Sequence, residues 1–166
     1  MAEFILPLLP LPPSSNNQYK SFVAKRGRSA GKIIHCSTKE LLSFHSEVTT
    51  LLMTQPYTSI RFSTDLLSVW RTTSPPFVFR DFLDKWRQNR TSFAFHTVFV
   101  LPREMIVTKE GLPKKFDISN RIKALHDSVC TNYGIDDSWI WKFSVSRECA
   151  AIGDKPHSMV RLLVSE

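Results

Sequence analysis

The chain is short of the residues that build small metal centres and covalent staples. Its three cysteines, Cys36, Cys130 and Cys149, are odd in number and show no C-x-x-C spacing, which excludes a disulfide framework and a zinc knuckle and fits a reducing compartment. The histidines, His35, His45, His96, His126 and His157, are scattered, with no H-x-x-x-H or H-E-x-x-H pattern, so they read as structural or surface groups. No apolar run approaches the roughly 20 residues of a membrane span. The opening "MAEFILPLLPLPPSS" lacks a basic n-region and is interrupted by Pro7, Pro10, Pro12 and Pro13, unlike a signal peptide. A cytoplasmic protein with no membrane partner is the expectation. Acid is also scarce: Asp and Glu number 15 against 22 Lys and Arg, a formal net charge of +7, and such a surface favours polyanions, nucleic acid first.

At 166 residues, with 42% hydrophobic and 22% charged residues, the composition is that of one globular domain spanning 1–166. No repeat or low-complexity segment divides it. Residues 3–9 read as a strand at a sheet edge, because of the proline they flank. The stretch "PPSSNN" is a strong loop signal. "KSFVAKRGRSAGK" follows as a flexible basic loop with Lys20, Lys25, Arg26, Arg28 and Lys32 around Gly27 and Gly31. From Ser37, three residues before Glu40, a capping-box spacing opens a helix with Leu41, Leu42, Phe44, Val48, Leu51 and Leu52 at helical intervals. Residues 55–90 are the hardest to read and include an aromatic-basic stretch, "FRDFLDKWRQNR", with the look of an amphipathic helix. "TSFAFHTVFVLP" alternates as a strand with Phe93, Phe95, Thr97 and Phe99 on one side. "WIWKFSVSREC" and "SMVRLLVSE" read as two closing strands joined as a hairpin, with Trp139 and Trp141 in or near the core.

The chemistry concentrates in "KKFDISNRIKALHDSVCTNYGIDDSW", residues 114–139. At 100° per residue, a helix from Ile118 puts Ile118, Ile122, Leu125 and Val129 on a core stripe. Asp117, Asn120, Ala124 and Asp127 share the other side, with Lys123 at its border. Periodicity leaves two readings open, a solvated face or a site. Asp117 also suits an N-cap. The doublet Asp136–Asp137 before an apolar strand, and the cations Lys114, Lys115, Arg121 and Lys123 around the acids, favour the second. Carboxylates that hold Mg²⁺, ringed by cations that hold a nucleic-acid backbone, are what metal-assisted phosphodiester cleavage requires.

These residues resemble the metal-binding core of the RusA-type Holliday junction endodeoxyribonucleases, whose pattern is D-x-D-N-x-x-K, a later Asp on the same helix, and a D-D pair at the next strand. "LPLPPSSNNQYKSFVAKRGR" is similar to that family's start, a short strand and then P-P-S-x-N with an aromatic and basic residues. The resemblance implies a two-layer α/β (α+β) fold, a mixed sheet with helices packed on one face, with 55–90 as a possible family-atypical insertion. It carries the first Asp onto Asp117, the Asn onto Asn120, the Lys onto Lys123, the later Asp onto Asp127 and the pair onto Asp136 and Asp137. Asp117, Lys123 and Asp137 would then be catalytic, and Asp117, Asp136 and Asp137 would hold Mg²⁺, with Mn²⁺ as the alternative.

DNA contacts would come from Asn17, Tyr19, Lys20, Lys25, Arg26, Arg28, Lys114, Lys115, Asn120 and Arg121. The implied activity is resolution of four-way junctions in recombination and repair by a homodimer with one site per subunit, working at the nucleoid. The second acid of D-x-D falls on Ser119, whose hydroxyl contributes no charge. Asp136 is the nearest acid to compensate. The alternative is a junction- or DNA-binding protein with weakened or lost catalysis.

Overall fold

In the computed structural model the described residues are 2–14, 18–26, 29, 32–64, 67–72, 84–85, 88–89, 92–116 and 118–164, with the side chains of 2, 60–64, 67–72 and 120 outside the description. The architecture is α+β: a mixed sheet carries helices, and among the described residues they pack through one hydrophobic core. Its strands are β1 (Ala2–Ile5), β2 (Leu9–Pro10), β5 (Ser59–Thr64), β6 (Leu67–Thr72), β7 (Phe93–Leu101), β8 (Ile140–Cys149) and β9 (His157–Val164). A separate ribbon is formed by β3 (Tyr19–Val23) and β4 (Ile33–Ser37). The helices are α1 (Lys39–Thr54), the single turn α2 (Arg103–Ile106) and α3 (Ile118–Tyr133).

The sheet order is β6-β5-β1-β9-β7-β8, so the first strand lies inside the sheet and not at its edge. β1 and β2 pair with successive parts of β9, and Pro7 falls in the gap between them, where no ladder N–H is required of it. The two closing strands are not a hairpin either. β7 lies between them, antiparallel to β9 and parallel to β8, with Phe95 opposite Leu162 on one side and Phe143 on the other. A parallel pair needs a crossover, and α3 supplies it between β7 and β8. Of residues 55–90, β5 and β6 extend the sheet beyond β1. The helix expected over 79–90 falls for the most part outside the described residues.

β7 is buried along most of its length: Phe93, Phe95, Thr97 and Phe99 face the core as the alternation predicts, and Ala94 and Val100 on its other face are buried too. From α1, Leu41, Phe44, Val48 and Leu52 pack into the core; from α3, Ile122, Leu125 and Val129 do. The buried arc of α3 is wider than the expected stripe, since Ala124, Ser128 and Cys130 are also buried. Ala124 thus belongs to the core and not to the polar flank, because α3 is packed against α1 as well as the sheet. Polar groups line that second contact. His45 Nδ1 pairs with the Ser128 hydroxyl, and the Asn132 amide donates to Thr49 Oγ1 at 3.1 Å.

Three local features differ from the sequence reading. The cap of α1 is Thr38, whose hydroxyl accepts from the Leu41 N–H at 3.3 Å, while Ser37 ends β4. The basic loop is a β-ribbon at its base, with its strand residues largely exposed. Trp141 is exposed, and Trp139 sits partly buried in a 3₁₀ turn, Asp137–Trp139.

An N-cap side chain is worth about 1 kcal/mol. Thr38→Ala is therefore expected to lower stability by roughly that amount in urea denaturation, and Ser37→Ala to leave the midpoint unchanged.

Candidate active-site cleft

The chain is pinned on both sides of residue 117. Phe116 packs against Phe99, 5.8 Å between centroids, and lies beneath two guanidiniums, Arg121 at 4.8 Å and Arg147 at 5.8 Å. Ile118 packs on the core from the other side. Arg121 also donates to the Pro12 carbonyl, and Lys114 donates through Nζ to the Glu104 carbonyl at 2.7 Å, so both these expected DNA contacts carry structural bonds. Asp117 itself lies outside the described residues.

The far end of α3 is set by glycine. Gly134 has φ 59°, the left-handed conformation that costs glycine least, and the Ile135 N–H returns to the Cys130 carbonyl at 2.9 Å. Ile135 is buried, which turns the chain back along the helix and delivers Asp136 and Asp137 beside it.

Between α3 and β8 opens a cleft of about 410 Å³ lined by Ser119, Ile122, Lys123, His126 and Asp127 of the helix, by Asp137, and by Ile140, Phe143 and Val145 of the strand. Ser119, Lys123 and Asp127 lie along one flank of α3, and Asp137 is brought to them only by the fold. Lys123 Nζ is 3.3 Å from Asp127 Oδ2, with side-chain exposures of 69% and 42%. Such an exposed i,i+4 pair is worth under about 1 kcal/mol, so the ammonium is readily lent to another anion.

Asp136 has a different local duty: its Oδ1 accepts the Ser138 N–H at 2.9 Å, capping the 3₁₀ turn, and these bonds from Ser138 hold its carboxyl below the usual range. The Cys130 thiol is pushed up to about 12 by burial and then by the charges of Asp127, Asp137 and Asp136. The three carboxylates therefore concentrate negative potential around one spot, and the thiol there stays protonated. Oxygen donors, Asp127 and Asp137 with the Ser119 hydroxyl, are what the cleft offers a cation. Among the described residues no three His, Cys, Asp or Glu gather closely enough to hold a metal by themselves.

His126 is the residue that sequence reasoning missed. It lines the cleft with its ring 4.5 Å from Phe95 and 6.2 Å from Phe143, and Nε2 is 3.4 Å from the Thr97 hydroxyl. Its position four residues after Ile122 was the available signal, since that spacing puts it on the same helix face. Of the other expected DNA contacts, Tyr19, Lys20, Lys25, Arg26 and Lys115 are exposed. Asn17, Arg28 and the Asn120 side chain lie outside the description. Among the described residues no helix is long and apolar enough to cross a membrane. Comparison with protein-family models and with curated proteins returns no match.

Burial pushes the pKa of His126 down to about 4. The folded state thus binds this proton less readily than the unfolded chain. Stability should be full above the unfolded value near 6.5 and fall as pH drops from there toward 4, by roughly 3 kcal/mol in all. Urea midpoints measured with chelator present at pH 7.0 and 4.5 are expected to show the loss, and His126→Gln to reduce it.

Proposed function

We propose that this chain is a metal-dependent, structure-selective endodeoxyribonuclease of RusA type that resolves four-way DNA junctions as a homodimer in the cytoplasm. The observation that carries the reading is the cleft: Ser119, Lys123, Asp127 and Asp137, chosen by a motif spread along the chain, line one opening between α3 and β8. The turn that directly follows α3 brings the Asp137 carboxylate back to the flank that already carries Lys123 and Asp127.

Each group has a role that follows from its chemistry. Asp137, together with Asp117 and Asp127, would hold a hard divalent cation. Mg²⁺ suits such a site, because it is commonly bound by one or two carboxylates, several waters and the substrate's own phosphates. When bound, the cation would neutralise phosphate charge and favour ionisation of water. Lys123, held only by an exposed pair with Asp127, would turn to the scissile phosphate and stabilise charge developing on its oxygens. His126 would stay neutral at physiological pH, leaving its ring to pack between Phe95 and Phe143 as part of the cleft wall. Lys20, Lys25, Arg26 and Lys115 would hold flanking backbone phosphates.

Ser119 supports a second reading. Its hydroxyl lines the cleft where the family pattern has an acid, so the protein would bind junctions with catalysis weakened or lost. A synthetic four-way junction with Mg²⁺ or Mn²⁺ separates the two. Under the nuclease reading wild type nicks the junction, Asp117→Asn abolishes nicking with binding retained, and Lys123→Ala slows single-turnover cleavage on the order of 10²-fold. Under the binding reading wild type binds without nicking and Ser119→Asp gains cleavage. Absence of junction binding at low salt would sink both.

Binding should also weaken steeply with salt. Replacing Lys20, Lys25 and Arg26 by Ala should flatten the log–log salt slope by about 0.9 for each phosphate that is no longer neutralised.

A further inference from the structure

β8 pairs with β7 along one side, and among the described strands nothing pairs with its other side. It is ten residues long, and most of its side chains are exposed or half-exposed. Two of them are large aromatics, Trp141 at 61% and Phe143 at 64% exposure. A long open edge with exposed aromatics is what sheet proteins ordinarily shorten, cover or load with like charge. The charges on this edge are of both signs: Lys142 and Glu148 are exposed, and Arg147 is half-buried.

We propose that β8 is the dimer interface, pairing antiparallel with β8 of a second copy about a twofold axis at Val145. The homodimer is taken from the preceding reading; the surface that forms it is new. A twofold axis perpendicular to the sheet keeps each side chain on its own face, so directly opposed residues must have the same parity. Centring on Lys142, Arg147 or Glu148 would set a charge against its own copy. Centring on Val145 places Lys142 opposite Glu148 of the second copy, and Glu148 opposite its Lys142. It also places Arg147 opposite Phe143, so that neither copy sets a cation against a cation.

The joined sheet has a consequence for the site. Ile140, Phe143 and Val145 form the strand wall of each cleft. The twofold axis leaves both clefts opening on the same face of the joined sheet, one on each side of the axis. A single branched substrate can then address both.

Three measurements on the full chain test this without DNA. Sedimentation equilibrium should find a dimer for wild type. Lys142→Glu should raise its dissociation constant at least about tenfold, and adding Glu148→Lys should restore wild-type affinity. With Cys149→Ser as background, Lys142→Cys combined with Glu148→Cys should give a disulfide-linked dimer under mild oxidation, because opposed residues have Cβ atoms about 5 Å apart. Lys142→Cys alone should not link, since the two copies of that position lie about 20 Å apart.

A monomer at all concentrations, a dimer indifferent to Lys142→Glu, or a charge swap that fails to restore it would overturn the proposal. Junction nicking is scored separately. An active monomer removes the interface and leaves the nuclease, whereas an inactive dimer that responds to the swap does the reverse.

Discussion

The cleft depends on the seating of α3 over β7. Phe93, Phe95 and Phe99 are buried almost completely, each worth roughly 1.5–3 kcal/mol, and the helix covers them with Ile122, Leu125 and Val129. His126 meets Phe95 ring to ring and reaches the Thr97 hydroxyl, so one residue belongs both to the core and to the cleft wall. With the helix fixed in rotation by that packing, Ser119, Lys123 and Asp127 can point only toward the β8 side. The functional flank is what the core leaves over.

Both ends of α3 are clamped for the same purpose. Before it, Phe116 is held between Phe99 and the guanidiniums of Arg121 and Arg147. After it, Gly134 and Ile135 reverse the chain so that Asp137 returns to the helix it has just left. On the flank away from the cleft, the bonds of His45 to Ser128 and of Asn132 to Thr49 tie α3 to α1, and Tyr133 donates to the Pro56 carbonyl. A polar seam has fixed partners and so defines a register that an apolar contact alone would leave looser. Cations that a surface reading assigns to DNA alone, Arg121 and Lys114, share in this clamp.

The helices α1 and α3, the strand Phe93–Leu101 and the acid and lysine positions were legible in the sequence, because apolar period and turn chemistry are local properties of the chain; the single turn α2 lies in a stretch that reads as loop. The strand neighbours were not. The segments that look like a closing hairpin are separated by β7, and the first strand lies within the sheet, since pairing is decided by which surfaces cover one another and not by proximity along the chain. Thr38 caps where Ser37 was expected, because Ser37 is taken up by the ribbon with Tyr19. Trp141 is exposed for a related reason. Among the described strands β8 is the outer one, and an alternating apolar pattern does not say whether a neighbour covers it.

By itself the sequence determined a basic α+β chain, a helix with one apolar and one polar side, and the order in which acids and lysine follow each other. Tertiary structure decided that Asp137 rather than Asp136 faces the cleft. It also decided that Ala124 is core, that His126 lines the wall, and that β8 ends the sheet among the described strands. The physical reason is the range of the forces. Helix period and capping act over a few residues, whereas the meeting of the α3 flank with β8 across the cleft depends on the buried surface of β7 on which both are seated.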